Sequence, residues 1–116
     1  MAMLIAIDVG GTSAKLALVE AETGRIASRA SVPTPPRSEA GEAFLDAVAQ
    51  AAEKLAASSR IDAVGMSLCE LISPHGEIES GHRVPWRTDQ VHDRLGRIAP
   101  VTIEADVRAA ALAEAR

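Results

Sequence analysis

Residues 8–12, Asp8-Val9-Gly10-Gly11-Thr12, set a carboxylate, two adjacent glycines and a hydroxyl directly after the apolar run of residues 3–7. Without a Cβ, two successive glycines let backbone N–H groups approach an oligophosphate, and the Thr12 hydroxyl can add a further hydrogen bond. Asp8 falls at the end of the apolar run, facing the same space. A carboxylate there would orient Mg²⁺ or its bound waters, because Mg²⁺ keeps several waters and takes one or two protein carboxylates together with phosphate oxygens. The same residues also serve an ordinary β-hairpin, in which glycine supplies positive φ. Local composition leaves both readings open. A Walker loop is excluded, since it needs a longer glycine-bounded loop that ends in Lys-Ser/Thr and opens a helix, whereas a second strand follows here.

The elements that must position this turn follow from hydropathy. Residues 3–7 form a continuous apolar run suited to a strand covered on both faces, and residues 13–20 resume with alternating polarity. Glu22-Thr23-Gly24 is the next turn, and the more polar residues 25–32 read as a third strand at the sheet edge. Pro33-Thr34-Pro35-Pro36 is an extended connector that ends at Ser38, the expected helix cap, with Glu39 and Glu42 in the first turn. Phe44, Val48, Ala51, Ala52 and Leu55 recur at helical spacing, so residues 39–58 are expected to be an amphipathic helix packed on the sheet. Residues 61–68 form a fourth strand. An irregular stretch follows, with Pro74-His75-Gly76 as a turn between short strands. A helix near residues 88–96, a fifth strand at 101–103 and an alanine-rich helix over 105–116 complete the order βββαβαβα. That order is an α/β fold with a mixed five-stranded sheet and helices packed on it.

The composition narrows the classes of function. The 116 residues allow a single domain, with 47% apolar residues but Phe44 and Trp86 as the sole aromatics, so the core must be aliphatic. The net charge of -4, without any basic stripe, argues against nucleic acid and anionic membranes as partners. Cys69 is the one cysteine, which permits no internal disulfide and fits a reducing cytoplasm. The start of the sequence carries no signal-peptide pattern, and no apolar run approaches the length of a membrane span. His75, His82, His92 and Cys69 are not spaced as a zinc set. Trp86 is expected to be a core anchor.

Three motifs together resemble the ROK family of sugar kinases and sugar-responsive repressors: Asp8-x-Gly10-Gly11-Thr12-x-x-Lys15, Val84-Pro85-Trp86, and Glu104-x-Asp106-x-x-Ala109-Ala110-Ala111-Leu112-x-Glu114. The resemblance spans nearly the whole chain and implies the first lobe of a two-lobed, ribonuclease H-like, actin-like ATPase fold, with the second lobe outside the sequence. It implies ATP and Mg²⁺ as cofactors, phosphates over Gly10, Gly11 and Thr12, and Mg²⁺ near Asp8. Lys15 is either a phosphate ligand or a solvated strand residue. Asp106 matches the family's general base, which would take the sugar hydroxyl proton as the oxygen attacks the γ-phosphoryl group. An N-cap role suits Asp106 equally, and the two are compatible.

Four positions depart from the family pattern. Ala105 and Arg108 stand where the family has asparagines around the catalytic aspartate, Cys69-Glu70 replaces a Pro-Gly acceptor loop, and Arg83 replaces the asparagine before Pro-Trp. Glu70, Arg83, Ala105 and Arg108 are therefore the candidate acceptor-binding positions. The exchange of neutral side chains for charged ones points away from a neutral hexose. It leaves the arginines either to meet an anionic group or to stand solvated or paired with Glu70 or Glu104. The expected function is the N-terminal lobe of an ATP-dependent sugar kinase, inactive by itself. The alternative is a non-catalytic sugar or metabolite sensor, or a binding or dimerisation module. A face built to meet a second lobe would promote self-association, a homodimer among the outcomes.

Overall fold

The computed structural model describes residues 2–57 and 59–105. Its strands are β1 (Met3–Val9), β2 (Ser13–Glu20), β3 (Ile26–Pro33), β4 (Ile61–Leu68) and β5 (Val101–Glu104), and its helices are α1 (Glu42–Ala56) and α2 (Thr88–Leu95). The strands form one mixed sheet in the order β3-β2-β1-β4-β5. β1 pairs antiparallel with β2 and parallel with β4; β2–β3 is antiparallel and β4–β5 parallel. The expected α/β class and the edge position of β3 are both found. The alanine-rich helix expected over 105–116 lies outside the described residues apart from Ala105.

Alternation along the strands assigns the two faces of the sheet. Ile5, Ile7 and Val9 of β1, Leu16 and Leu18 of β2, Val64, Met66 and Leu68 of β4 and Ile103 of β5 are buried with Phe44, Leu45, Val48 and Ala52 of α1. This aliphatic core also takes in Val91 and Leu95 of α2, so both helices lie on the same side. Arg94 of α2 ties the two helices at the surface, bonding Glu42 at 3.2 Å and Asp46 at 3.1 Å. The second face carries Leu4, Ala6 and Asp8 of β1, with Lys15 and Ala17 opposite them on β2.

Two local expectations change. The proline connector does not lead to a helix capped by Ser38: Arg37–Glu39 is a 3₁₀ turn, and α1 starts only at Glu42, after Gly41, with no side-chain cap bond. Tertiary packing sets this start, because Ala40 is fully buried and the Trp86 indole Nε1–H donates to the Gly41 carbonyl at 3.1 Å. The short strands flanking Pro74-His75-Gly76 reduce to a single bridge between Ile72 and Ile78. Gly24, by contrast, occupies the expected turn at φ +73°, a conformation that a Cβ would strain.

Trp86 is 3% exposed and meets Phe44 ring to ring at 5.3 Å, so it anchors the loop before α2 into the core. Trp86→Phe removes the donor to Gly41 and leaves a void, and it is expected to cost about 1–3 kcal/mol. Urea unfolding followed by circular dichroism measures this, since the variant loses the one tryptophan fluorophore.

Candidate functional site

The second face of the sheet carries a polar row at the carboxyl ends of its parallel strands. Ser31, Lys15, Asp8, Ser67 and Glu104 are successive cross-strand neighbours from β3 through β5. In an open α/β sheet this end is where ligands bind. Asp8 is exposed, and its Oδ1 accepts a hydrogen bond of 2.8 Å from the Ser67 hydroxyl, which orients the carboxylate from the neighbouring parallel strand. Sequence reasoning missed Ser67. Its one signal was a hydroxyl within the otherwise apolar second half of a buried strand. Below the row, the small side chains of Ala6 and Ala17 leave an open concavity of about 700 Å³ that reaches Asp8, Lys15, Arg29 and Ser31.

The glycine turn adjoins Asp8. Neither Gly10 nor Gly11 has positive φ, so the turn is not the primed hairpin turn that would demand glycine for its backbone conformation. Gly10 is constrained by close approach: its N–H donates to the Ser13 carbonyl at 3.0 Å, and a Cβ there would lie 3.3 Å from the same oxygen. At Gly11 a Cβ would meet nothing within 4 Å. No protein atom requires glycine at that position, which leaves its backbone open to a ligand. The amides of Gly11 and Thr12 have no protein acceptor among the described residues, whereas the carbonyls on either side are held, Gly10 by the Thr34 hydroxyl and Thr12 by the Thr34 amide, both at 2.9 Å. The turn is thus braced through its oxygens, and the Gly11 and Thr12 N–H groups are left without a protein acceptor among the described residues.

The acceptor-side residues divide. Glu70, 9% exposed, turns its carboxylate into the protein: Oε1 accepts from the Ser80 hydroxyl at 2.6 Å and the His82 amide at 2.9 Å, and Oε2 from the Arg83 amide at 2.7 Å and the Val84 amide at 2.9 Å. Burial alone would push this carboxyl up. The four hydrogen bonds outweigh that and hold its pKa at about 2, against an ordinary 4.5. Glu70 therefore shapes residues 80–84, and its four-donor shell is a role that the sequence reading did not foresee.

Arg83 does not pair with the Glu70 side chain. Its guanidinium instead crosses to the glycine turn, where Nη2 donates to the Gly11 carbonyl at 2.9 Å. Cys69 sits among these groups: partial burial and the Glu70 charge push its thiol up, against the opposing pull of Arg83. Ala105 is exposed just beyond β5. Asp106 and Arg108 lie outside the described residues.

A mixed sheet of this order, with the two helices of the described residues on one face, is a lobe of the ribonuclease H-like, actin-like fold. The model of the ROK family matches residues 4–116, and the chain belongs to that family. A ROK family glucokinase from Streptomyces griseus, solved with glucose and AMPPNP, superposes at a TM-score of 0.72 with 29% identity, over 88% of this chain and 32% of that one. An inorganic polyphosphate/ATP-glucomannokinase from Arthrobacter sp. strain KM gives 0.72 and 32% identity, over 91% and 45%. A ROK hexokinase from Thermus thermophilus gives 0.69 and 26% identity, over 88% and 34%. The chain thus spans between about a third and a half of these structures. A ROK family transcriptional regulator, at 16% identity, and the Thermus thermophilus RuvC bound to a Holliday junction, at 15%, share the fold alone. No curated protein sequence matches the chain. No helix among the described residues is long and apolar enough to cross a membrane.

The Glu70 bonds set a pH signature. Because the folded pKa lies near 2 and below the ordinary 4.5, their contribution is present above about pH 4.5 and is lost as pH falls toward 2. Glu70→Gln should lower stability at pH 7 by on the order of 3 kcal/mol and flatten the acid limb over that interval, as read by denaturant midpoints at a series of pH values.

Proposed function

We propose that this chain forms the phosphate-turn lobe of an ATP-dependent phosphotransferase acting on a hydroxyl of a sugar or a sugar-like compound. The observation that carries this reading is the Gly10–Thr12 turn: carbonyls braced, the Gly11 and Thr12 amides without a protein acceptor among the described residues, and Asp8 beside it on the polar row. In this reading the Gly11 and Thr12 amides and Lys15 hold donor phosphates. Asp106, following β5, accepts the hydroxyl proton as that oxygen attacks the γ-phosphoryl group. The complex of the Streptomyces griseus neighbour with glucose and AMPPNP, and the ATP in the name of the Arthrobacter neighbour, support the choice of ligands. The activity is that of the whole two-lobed protein.

Asp8 also fits Mg²⁺. It is an exposed carboxylate engaged through one oxygen, and no group of three or more His, Cys, Asp or Glu side chains among the described residues builds a separate metal cage. That is the donor set of an ion whose remaining positions are filled by phosphate oxygens and water. Bound there, Mg²⁺ would offset the charge of the donor phosphates, while Ser67 fixes the rotamer of Asp8.

The test is phosphotransfer from Mg·ATP to a panel of hexoses by the longest natural chain containing these residues. Asp106→Asn is expected to lower kcat by about 10²–10⁴ with sugar binding retained. Asp8→Asn should raise the Mg²⁺ concentration needed for half-maximal rate by at least about tenfold, the scale of one lost charged ligand contact. Sugar binding without turnover in the unsubstituted protein would replace the kinase by a sensor.

A further inference from the structure

Among the described residues, Arg83 is the one charged side chain that joins the loop after β4 to the glycine turn, and its own bonding is incomplete. Nη2 is spent on the Gly11 carbonyl, while Nη1 is shielded from solvent and has no hydrogen-bond partner among the described residues. A guanidinium N–H left in that state costs free energy until an acceptor reaches it. No carboxylate forms an ion pair with Arg83 among the described residues, and both oxygens of Glu70 accept from Ser80 and the amides of residues 82–84. Glu70 instead grips the Arg83 backbone, so the side chain is aimed from a fixed base.

We propose that Arg83 is an oxyanion-binding residue. With Nη2 braced on the turn, its remaining N–H groups take an oxygen of a phosphate or carboxylate lying beside Gly11 and Thr12, whose amides have no protein acceptor among the described residues. A planar guanidinium fixed at one nitrogen suits this geometry better than an ammonium. The oxyanion has two sources consistent with that position: the phosphoryl group being transferred, or an anionic group carried by the acceptor. The assignment builds on the kinase reading for these two sources, but the anion site itself does not require turnover.

The test uses the longest natural chain containing these residues, with inorganic pyrophosphate titrated calorimetrically into the unsubstituted protein, Arg83→Gln and Arg83→Lys. Arg83→Gln should weaken pyrophosphate binding about tenfold or more, with Arg83→Lys in between. Unchanged affinity in Arg83→Gln overturns the proposal. So does a loss of thermal stability alone, with normal affinity in the folded protein, since that is the behaviour of a mere brace for the turn. Steady-state kinetics with glucose and with glucuronate then separates the sources. A higher KM for Mg·ATP with both acceptors assigns the oxyanion to the donor phosphoryl group, and a selective loss of kcat/KM for glucuronate assigns it to the acceptor. Pyrophosphate binding through Arg83 in a protein that transfers no phosphate would overturn the kinase reading and leave the anion site standing.

Discussion

The structure depends on β1 lying between an antiparallel and a parallel neighbour. β2 runs back from the glycine turn while β4, beside β1, and β5, beside β4, run forward, so the turn and the carboxyl ends of three parallel strands meet at one end of the sheet. Alternation divides the labour of β1: Ile5, Ile7 and Val9 enter the core under α1, and the intervening residues face the other way, ending in Asp8. A one-residue slip of register would bury Asp8 and expose that apolar set, at several kcal/mol for the apolar burial alone. The packing that stabilises the sheet therefore also aims the carboxylate.

A second constraint acts on the loop after β4. After β4 the chain leaves the sheet for an irregular excursion, and the Glu70 carboxylate gathers its return by accepting four hydrogen bonds from residues 80–84. Such an arrangement makes a buried charge tolerable, since each oxygen is satisfied. Two residues further on, Trp86 seats the same segment against Phe44 and the start of α1. Arg83 is itself held by the first anchor and lies three residues before the second, so its reach to Gly11 is set by the fold around it.

Much of the architecture was legible in the residues because it rests on local periodicity. Five strands, the edge character of β3, the helical stripe of Phe44, Val48 and Ala52, and the core position of Trp86 all follow from spacing and residue type. The start of α1 did not, since burial of Ala40 and the indole bond to Gly41 override the cap signal of Ser38. At the site, Asp8 and the glycine turn could be read directly; β1 and β2 do form an antiparallel hairpin across that turn, and the backbone angles of Gly10 and Gly11 remove only positive φ as the reason for the glycines. Ser67 and Arg83 were beyond local reading as partners of the turn: each meets its bond acceptor across a separation of 59 and 72 residues respectively, and no periodicity encodes such a contact. Glu70 was singled out because it stands where the family has its Pro-Gly acceptor loop, and the Ser80 hydroxyl and three backbone amides that engage its carboxylate come from residues 10 to 14 positions away, beyond local reading.

The central claim is that donor phosphates lie on the Gly11 and Thr12 amides next to Asp8. A crystal structure of the longest natural chain containing these residues, grown with AMPPNP and Mn²⁺ in place of Mg²⁺, tests it most directly through the anomalous signal of the metal. The account predicts a metal peak within coordination distance of an Asp8 oxygen or of a water bonded to it, with phosphate oxygens on the two amides. Nucleotide bound with its phosphates away from the Gly10–Thr12 turn, and no metal near Asp8, would contradict it.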